Sequence, residues 1–430
     1  MSLCKEVIGF ISAIIYFIQR YRISFDKAFQ LAKKSYPKLL MHFDVRKLYE
    51  LSCSVVRDYV KLVEVLKYLG LTATRKNIVK LWFLINMESN LVTDELRSCL
   101  RREVKHLKHY PIDTSLKALT QSMDLRSLSI RYSIPKPILE LLSRYGSLKF
   151  VEEFAKSVSE RVLWVRINTL KIDVDKAKKL LEDLGFEFIE DKDFHYLIKI
   201  IKFKRAITLT RLFRGGYIVP QDKASIIVVE ALNPQPNDKI IDFAAAPGMK
   251  TSLIMQLSEN KAKVVAIDIS KKRLTKMKVL LRRLGVNTDR ADFVLSDSRI
   301  IKLRGDFDKG LIDAPCSGSG TLIKDVAMRI ILSNVSRDKL MYYKNLQVGI
   351  LSNALRHVNE AIYATCSLFP EEGEEVIEEV IRRYDVTLEV PHKIGIPGYP
   401  RFKVSNYVRR LMPHIHSTEA FFISKLVRSQ

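Results

Sequence analysis

Cysteine is scarce in this chain of 430 residues. There are five, Cys4, Cys53, Cys99, Cys316 and Cys366, and no two form a Cys-x-x-Cys pair. No zinc or disulfide framework can be read from such spacing. A reducing, cytoplasmic setting fits it. Histidine offers no metal site either, because His414 and His416 fall in a late loop away from both C-terminal cysteines. Glycine is missing between Gly9 and Gly70, and proline is rare there. That excludes a turn-rich β domain and leaves helices. The apolar run Val7 to Ile18 falls short of the ~18 residues of a membrane span. It follows Glu6 and runs into Gln19-Arg20-Tyr21-Arg22 without a small-residue cleavage site, so it reads as a buried helix. No internal repeat or low-complexity tract is present, and no Gly-x-Gly-x-x-Gly supports a dinucleotide site.

Acidic residues are also in deficit. Lys and Arg number 72 against 48 Asp and Glu, a formal net charge of +24. A surplus of that size suits an acidic partner, nucleic acid before an anionic membrane surface. Residues 1–150 carry 26 basic and 13 acidic side chains, residues 151–220 carry 14 and 11, and residues 221–430 carry 32 and 24. More than half of the surplus lies in the first third, so the attraction is expected to be delegated there. Arg101, Arg102, Lys105 and Lys108 are candidates for a nucleic-acid-facing stripe, or simply for a solvated helix face.

Three regions are expected. Residues 1–145 read as helices, with Val7, Ile11, Ile14, Ile15 and Ile18 at helical spacing and Leu48 to Leu66 likewise. The period changes over residues 161–220, and residues 146–220 read as a small α+β unit. From 221 to 430 strands alternate with helices, the pattern of a parallel sheet. The expected strands are Lys239–Phe243, Lys263–Asp268, Asp292–Ser296, Gly310–Asp313, Ala361–Thr365, Val386–Val390 and Phe421–Leu426.

Ligands of an open α/β sheet sit beyond the carboxyl ends of its strands. The first strand runs into Phe243-Ala244-Ala245-Ala246-Pro247-Gly248-Met249-Lys250, where small residues admit a ligand to the backbone and to a helix N-terminus. The next two strands end in Asp268 and near Asp297. An acid at the first such position commonly takes ribose hydroxyls, and one at the second can bond an exocyclic amine. Each aspartate alone could equally be a cap or turn acid. Together they point to a nucleoside-type ligand. Two further strands end in Asp313-Ala314-Pro315-Cys316 and Ala364-Thr365-Cys366. A single cysteine is usually a small buried hydrophobe. Two at strand ends on the ligand side suggest nucleophilic chemistry.

At these residues the sequence resembles a known family. Asp242 to Thr251, Asp313 to Gly318 and Ala364-Thr365-Cys366-Ser367 are similar to motifs of the Nop/Sun family of RNA 5-methylcytosine methyltransferases. Val165-Arg166-Ile167-Asn168-Thr169-Leu170-Lys171 resembles the Arg-x-Asn-Thr-Leu segment ahead of its catalytic domain. The resemblance covers about residues 125–430. It implies a Rossmann-like class I methyltransferase domain with a mostly parallel seven-stranded sheet over 221–430. Ahead of it would come a small α+β RNA-binding or linker domain over 146–220 and an all-helical, basic, NusB-like RNA-binding domain over 1–145.

The same resemblance implies S-adenosylmethionine as cofactor, held by Ala244, Ala245, Ala246, Pro247, Gly248, Met249 and Lys250, with Asp268 on the ribose, Asp297 on the adenine edge and Asp313 nearby. Cys366 would attack carbon-6 of a cytosine, Asp313 would hydrogen-bond the base, and Cys316 would help remove the carbon-5 proton and release the enzyme. The implied partner is RNA, ribosomal before transfer RNA, with no membrane and no metal, and the chain is expected to act as a monomer. Departures are local: Met249 stands where the family has a second glycine, Ile323-Lys324-Asp325-Val326 follows the first cysteine, and His416-Ser417-Thr418-Glu419-Ala420-Phe421-Phe422 replaces a glycine-containing segment. Two other readings stay open. Cys316 alone could be the nucleophile, or the chain could be a non-catalytic RNA-binding or ribosome-assembly factor that keeps the fold.

Overall fold

The computed structural model describes residues 3–160 and 162–428, which divide into two compact units. The first runs to Glu160 and also takes in residues 321–336. Its described residues form helices and no strand. Helix Leu3–Tyr21 is its axis and buries Val7, Ile11, Ile14, Ile15 and Ile18. Later helices start where a side-chain oxygen caps the first free backbone N–H groups: Asp44 before Val45–Arg57, Thr74 before Arg75–Ile85, Thr93 before Asp94–Glu103 and Ser147 before Leu148–Ser157.

Two features of this unit are not legible in the sequence. Cys4 and Cys99 form a disulfide between helices Leu3–Tyr21 and Asp94–Glu103. This corrects the expectation that the cysteines build no such bond. The partners lie 95 residues apart, so no spacing motif marks them. The second is the segment 321–336, expected within the catalytic domain. Val326, Ala327 and Ile330 join the helical core. Buried Arg329 donates to the carbonyls of Leu322 (3.1 Å) and Val158 (3.2 Å), and Asp325 accepts from the Phe25 N–H. The helical unit therefore reaches past residue 145 and reclaims chain from beyond residue 320.

The second unit comprises the described residues of 161–320 and 337–430. Strands β1 (Leu163–Ile167), β2 (Glu187–Glu190), β3 (Leu197–Lys202) and β4 (Ile218–Pro220) form an antiparallel sheet in the order β2-β3-β1-β4. The change of period in the sequence predicts a separate domain here. The structure places it in the same compact unit as the larger sheet, and the Arg-x-Asn segment shows why. Arg166, fully buried, donates to Gln256 Oε1 (2.9 Å) and Ser252 Oγ (2.7 Å), and Asn168 Nδ2 donates to the carbonyls of Gly216 (2.8 Å) and Leu284 (2.7 Å). All of these but the Gly216 bond cross from the small sheet to the helices of the large one or their ends. Burial lowers the Arg166 pKa to about 9.

The larger sheet contains β5 (Lys239–Asp242), β6 (Lys263–Asp268), β7 (Ala291–Leu295), β8 (Phe307–Asp313), β9 (Val358–Thr365), β10 (Val386–Glu389), β11 (Val408–Leu411) and β12 (Phe421–Arg428). The order is β10-β12-β9-β8-β5-β6-β7, with β11 paired to β12. Pairs among β5 to β9 are parallel, and β12 runs antiparallel to its neighbours. This is the expected mostly parallel α/β sheet, with β11 as an additional, eighth strand. Helices Lys223–Leu232, Met249–Leu257 and Lys271–Arg283 cover one face, and Arg337–Ala354 and Glu374–Ile381 the other. The chain leaves β5 for β6 and β7 on one side, then returns to β8 on the other. The crevice at the carboxyl end of β5 is thus the topological switch point.

Candidate active site

The loop after β5 is held from both ends. Buried Asp242 accepts from Thr251 Oγ1 (2.7 Å), and burial raises its pKa to about 6. Gly248 has φ of 101°, and a Cβ there would stand 2.8 Å from Met277 Cγ, so only glycine fits. Asp268, at the end of β6, accepts from the Ser270 N–H (2.9 Å) and the Ala246 N–H (3.3 Å), and pairs with Arg273 at 3.2 Å. Asp297, just past β7, pairs with Arg299, whose hydrogen bonds pull its pKa down. A cavity of about 230 Å³ opens between them, lined by Ala244, Asp268, Ile269, Arg273, Asp297 and Tyr342 among others.

Of the expected cofactor-side residues, Ala244, Asp268 and Asp297 meet at this cavity. Ala245 and Ala246 are buried in the core cluster, with Met249 packed against it, while Pro247 turns to solvent. Lys250 and Asp313 form a neighbouring pair at 2.5 Å. Burial opposes the Lys250 charge, yet the charges of Asp313 and Cys366 outweigh it and raise its pKa.

Beside that pair lie the two thiols. Cys316 and Cys366 follow the ends of β8 and β9, parallel neighbours in which Asp313 stands opposite Ala364. Their sulfurs are 3.2 Å apart and unbonded. The hydrogen bond to Cys366, burial, and the charges of Cys366 and Glu372 together push the Cys316 pKa well up. Cys316 is thereby held as a thiol.

Sequence reasoning missed what holds the pair. Glu372, fully buried, accepts from the Ser317 N–H (2.7 Å), from the hydroxyls of Ser317 and Ser367, and from Gln347 Nε2 (3.4 Å). Ser317 and Ser367 each follow a cysteine, so one carboxylate fastens both thiol loops. Burial raises the Glu372 pKa. Gln347 also donates to the Pro315 carbonyl (2.9 Å). The Gly320 N–H donates to the Cys366 carbonyl (2.9 Å), and a Cβ on Gly320 would stand 1.9 Å from the Ala420 carbonyl oxygen. Only the run of glutamates over 371–375 hints at this, and a solvated helix face is the ordinary reading of it.

Comparison with known proteins agrees with this arrangement. The family described as 16S rRNA methyltransferase RsmB/F matches residues 229–427. A tRNA (cytosine(72)-C(5))-methyltransferase of Pyrococcus horikoshii is 36% identical over 60% of this chain and 66% of its own length. A 28S rRNA (cytosine-C(5))-methyltransferase of Mus musculus is 30% identical over 70% of this chain and 39% of its own. The chain thus spans less than two thirds of these two relatives. A tRNA (cytosine(49)-C(5))-methyltransferase of Pyrococcus abyssi, 30% identical, is matched over 67% of this chain and 95% of its own length. Among solved structures, a methyltransferase homologue from Pyrococcus horikoshii superposes with a TM-score of 0.63 at 31% identity, covering 71% of this chain and 99% of that one. The crystal structure of PH0851 shares the fold over 99% of both chains, with a TM-score of 0.77 at 24% identity. The paired strand-end cysteines, the alanine-rich loop after β5 and these matches have one conclusion: the chain belongs to the Nop/Sun, RsmB/F-like family of RNA cytosine-C5 methyltransferases.

Proposed function

We propose that this protein methylates carbon-5 of a cytosine in RNA, using S-adenosylmethionine and a covalent cysteine–cytosine adduct. The observation that carries the reading is the placement of two free thiols 3.2 Å apart at adjacent parallel strand ends, beside Asp313. A cofactor of nucleoside type fits the cavity by its chemistry: carboxylates at the ends of two successive strands for hydroxyls and an amine, and the small side chain of Ala244 against the backbone loop. Asp268 would hold the ribose and Asp297 the adenine edge, with Ala244 to Lys250 and Asp313 toward the methionine end. The cofactor supplies an electrophilic methyl group.

The chain's own residues do the rest. Carbon-5 of cytosine is a poor nucleophile until carbon-6 is saturated. Cys366 as thiolate forms the sulfur–carbon bond at carbon-6, and Asp313 hydrogen-bonds the ring nitrogen that takes up a proton, leaving carbon-5 enamine-like. The Lys250 ammonium pairs with Asp313 at 2.5 Å and holds that carboxylate in place at the end of β8. After methyl transfer a water molecule takes the carbon-5 proton, the electron pair of that bond re-forms the carbon-5–carbon-6 double bond, and Cys366 leaves as thiolate. Cys316, a thiol with its sulfur 3.2 Å from that of Cys366, donates a hydrogen bond to the departing sulfur and so assists the elimination. One thiol is covalently occupied while the other works. The cytosine must leave any stack to reach them.

The relatives' names divide between ribosomal and transfer RNA. We place ribosomal RNA first, on the resemblance of the helical unit to NusB-like RNA-binding domains. Bisulfite sequencing of total RNA from cells with and without this gene tests both. Loss of methylation at one or a few cytosines is expected; an unchanged pattern in every RNA would overturn the proposal.

A further inference from the structure

The basic surplus of residues 221–430 is not spread over the catalytic region. Helix Lys271–Arg283 holds seven Lys and Arg residues and no acid. Without that helix the same region carries 25 basic and 24 acidic side chains, so seven of its eight surplus charges lie on 13 residues. By contrast, the basic helix Asp94–Glu103 balances Arg97, Arg101 and Arg102 with Asp94, Glu95 and Glu103.

The arrangement works against the helix itself. Lys271, Lys272 and Arg273 occupy its first turn, at the positive end of the helix dipole, where acids are favoured. Lys272 and Lys276 are like charges at i,i+4, as are Lys278 and Arg282, and such pairs repel. Lys271, Lys272, Lys276 and Arg282 are exposed and make no ion pair among the described residues. Burial of Leu274, Met277 and Leu281 holds the helix in place and turns the cations outward. A fold that keeps a locally unfavourable, one-sign face has a use for it as a face. From Lys272 to Arg282 the row spans about 15 Å at 1.5 Å per residue, enough for several consecutive phosphates. Its first turn adjoins the candidate site, because Ile269 and Arg273 line the cavity beside Asp268.

We propose that the exposed face of helix Lys271–Arg283 is a docking surface for the sugar–phosphate backbone of the RNA substrate, leading the strand to the mouth of the active site. This deepens, and rests on, the reading of the chain as an RNA-modifying enzyme. The cations meet phosphates, so they strengthen binding without reading sequence.

The test is RNA binding by the full chain as a function of salt. Labelled transfer RNA and a labelled ribosomal RNA fragment serve as probes, between about 50 and 200 mM salt. Removing one phosphate-binding cation lowers the slope of log affinity against log salt by about 0.7 to 0.9. Lys272→Gln, Lys276→Gln and Arg282→Gln combined should therefore lower it by about 2 to 2.7. Affinity for both RNAs should drop at least tenfold at the low-salt end, while S-adenosylmethionine still binds. Lys276→Gln alone should lower the slope by about 0.7 to 0.9. The conservative set Lys272→Arg, Lys276→Arg and Arg282→Lys should keep it. Arg382→Gln with Lys403→Gln, exposed elsewhere in the same unit, should also keep the wild-type slope. An unchanged slope and affinity in the triple variant overturns the docking surface. So does loss of binding to phosphatidylserine vesicles with RNA affinity intact, which would assign the face to a membrane. If the wild-type chain binds no RNA at all, the functional reading itself fails, an outcome distinct from the other two.

Discussion

A single carboxylate decides how the two thiols face each other. Glu372 is bonded to the residue after each cysteine and lies under both. Hydrogen bonds to a charged group contribute about 1.5–3 kcal/mol each, and each 1.36 kcal/mol of barrier is tenfold in rate. Glu372→Gln keeps the shape, removes the charge and loses one acceptor. We expect kcat to fall about 10- to 100-fold, with the dissociation constant for S-adenosylmethionine unchanged. The charge also helps hold Cys316 as a thiol, so the alkaline limb of the pH–rate profile should move to lower pH; steady-state kinetics across pH checks both. Asp242 gives a second residue-scale outcome. Its folded pKa, about 6, lies above the ordinary aspartate value of 3.8, so between these the folded state binds more protons than the unfolded one. Its penalty is fully present above pH 6 and is relieved as pH falls. Urea unfolding of wild type and Asp242→Asn should show the difference shifting toward wild type by at most about 3 kcal/mol from pH 7 to pH 4. At this scale the sequence is legible where a residue ends a strand: Asp268, Asp313, Cys316 and Cys366 all stand where alternating strands and helices put them. Glu372 is not, because Ser317 lies 55 positions away and no local pattern joins them.

Strand β11 shows where element-level reading runs out. Val408–Leu411 carries two arginines in four residues, which argues against a buried strand. Arg410 is nevertheless buried, because Glu374 pairs with it through Nε at 2.8 Å, and it stacks over Tyr399 at 3.8 Å and donates to the Ser367 carbonyl. Charge pairing of residues 36 positions apart is invisible in a hydropathy pattern. Arg410→Ala leaves Glu374 buried and uncompensated, so a loss of about 3–5 kcal/mol is expected, measured by denaturant unfolding. The parallel strands are legible because they are short apolar runs between helical patterns.

At the scale of the molecule, the chain enters the second unit after residue 160, leaves it at Gly320 and returns at Arg337. Composition does not reveal this excursion, since residues 321–336 look like an ordinary loop and short helix until Val326, Ala327 and Ile330 are seen in the helical core. A protein lacking residues 1–160 is not a clean catalytic domain. It should expose those side chains and buried Arg329, and limited proteolysis should cut it within 321–336 while the full chain resists there. The division of labour between the thiols is the central claim, and covalent trapping tests it most directly. Purified Cys316→Ser, incubated with substrate RNA and S-adenosylmethionine, should accumulate a denaturation-resistant protein–RNA adduct, and Cys366→Ser should form none. An adduct in Cys366→Ser, or none in either variant with RNA still bound, would contradict it.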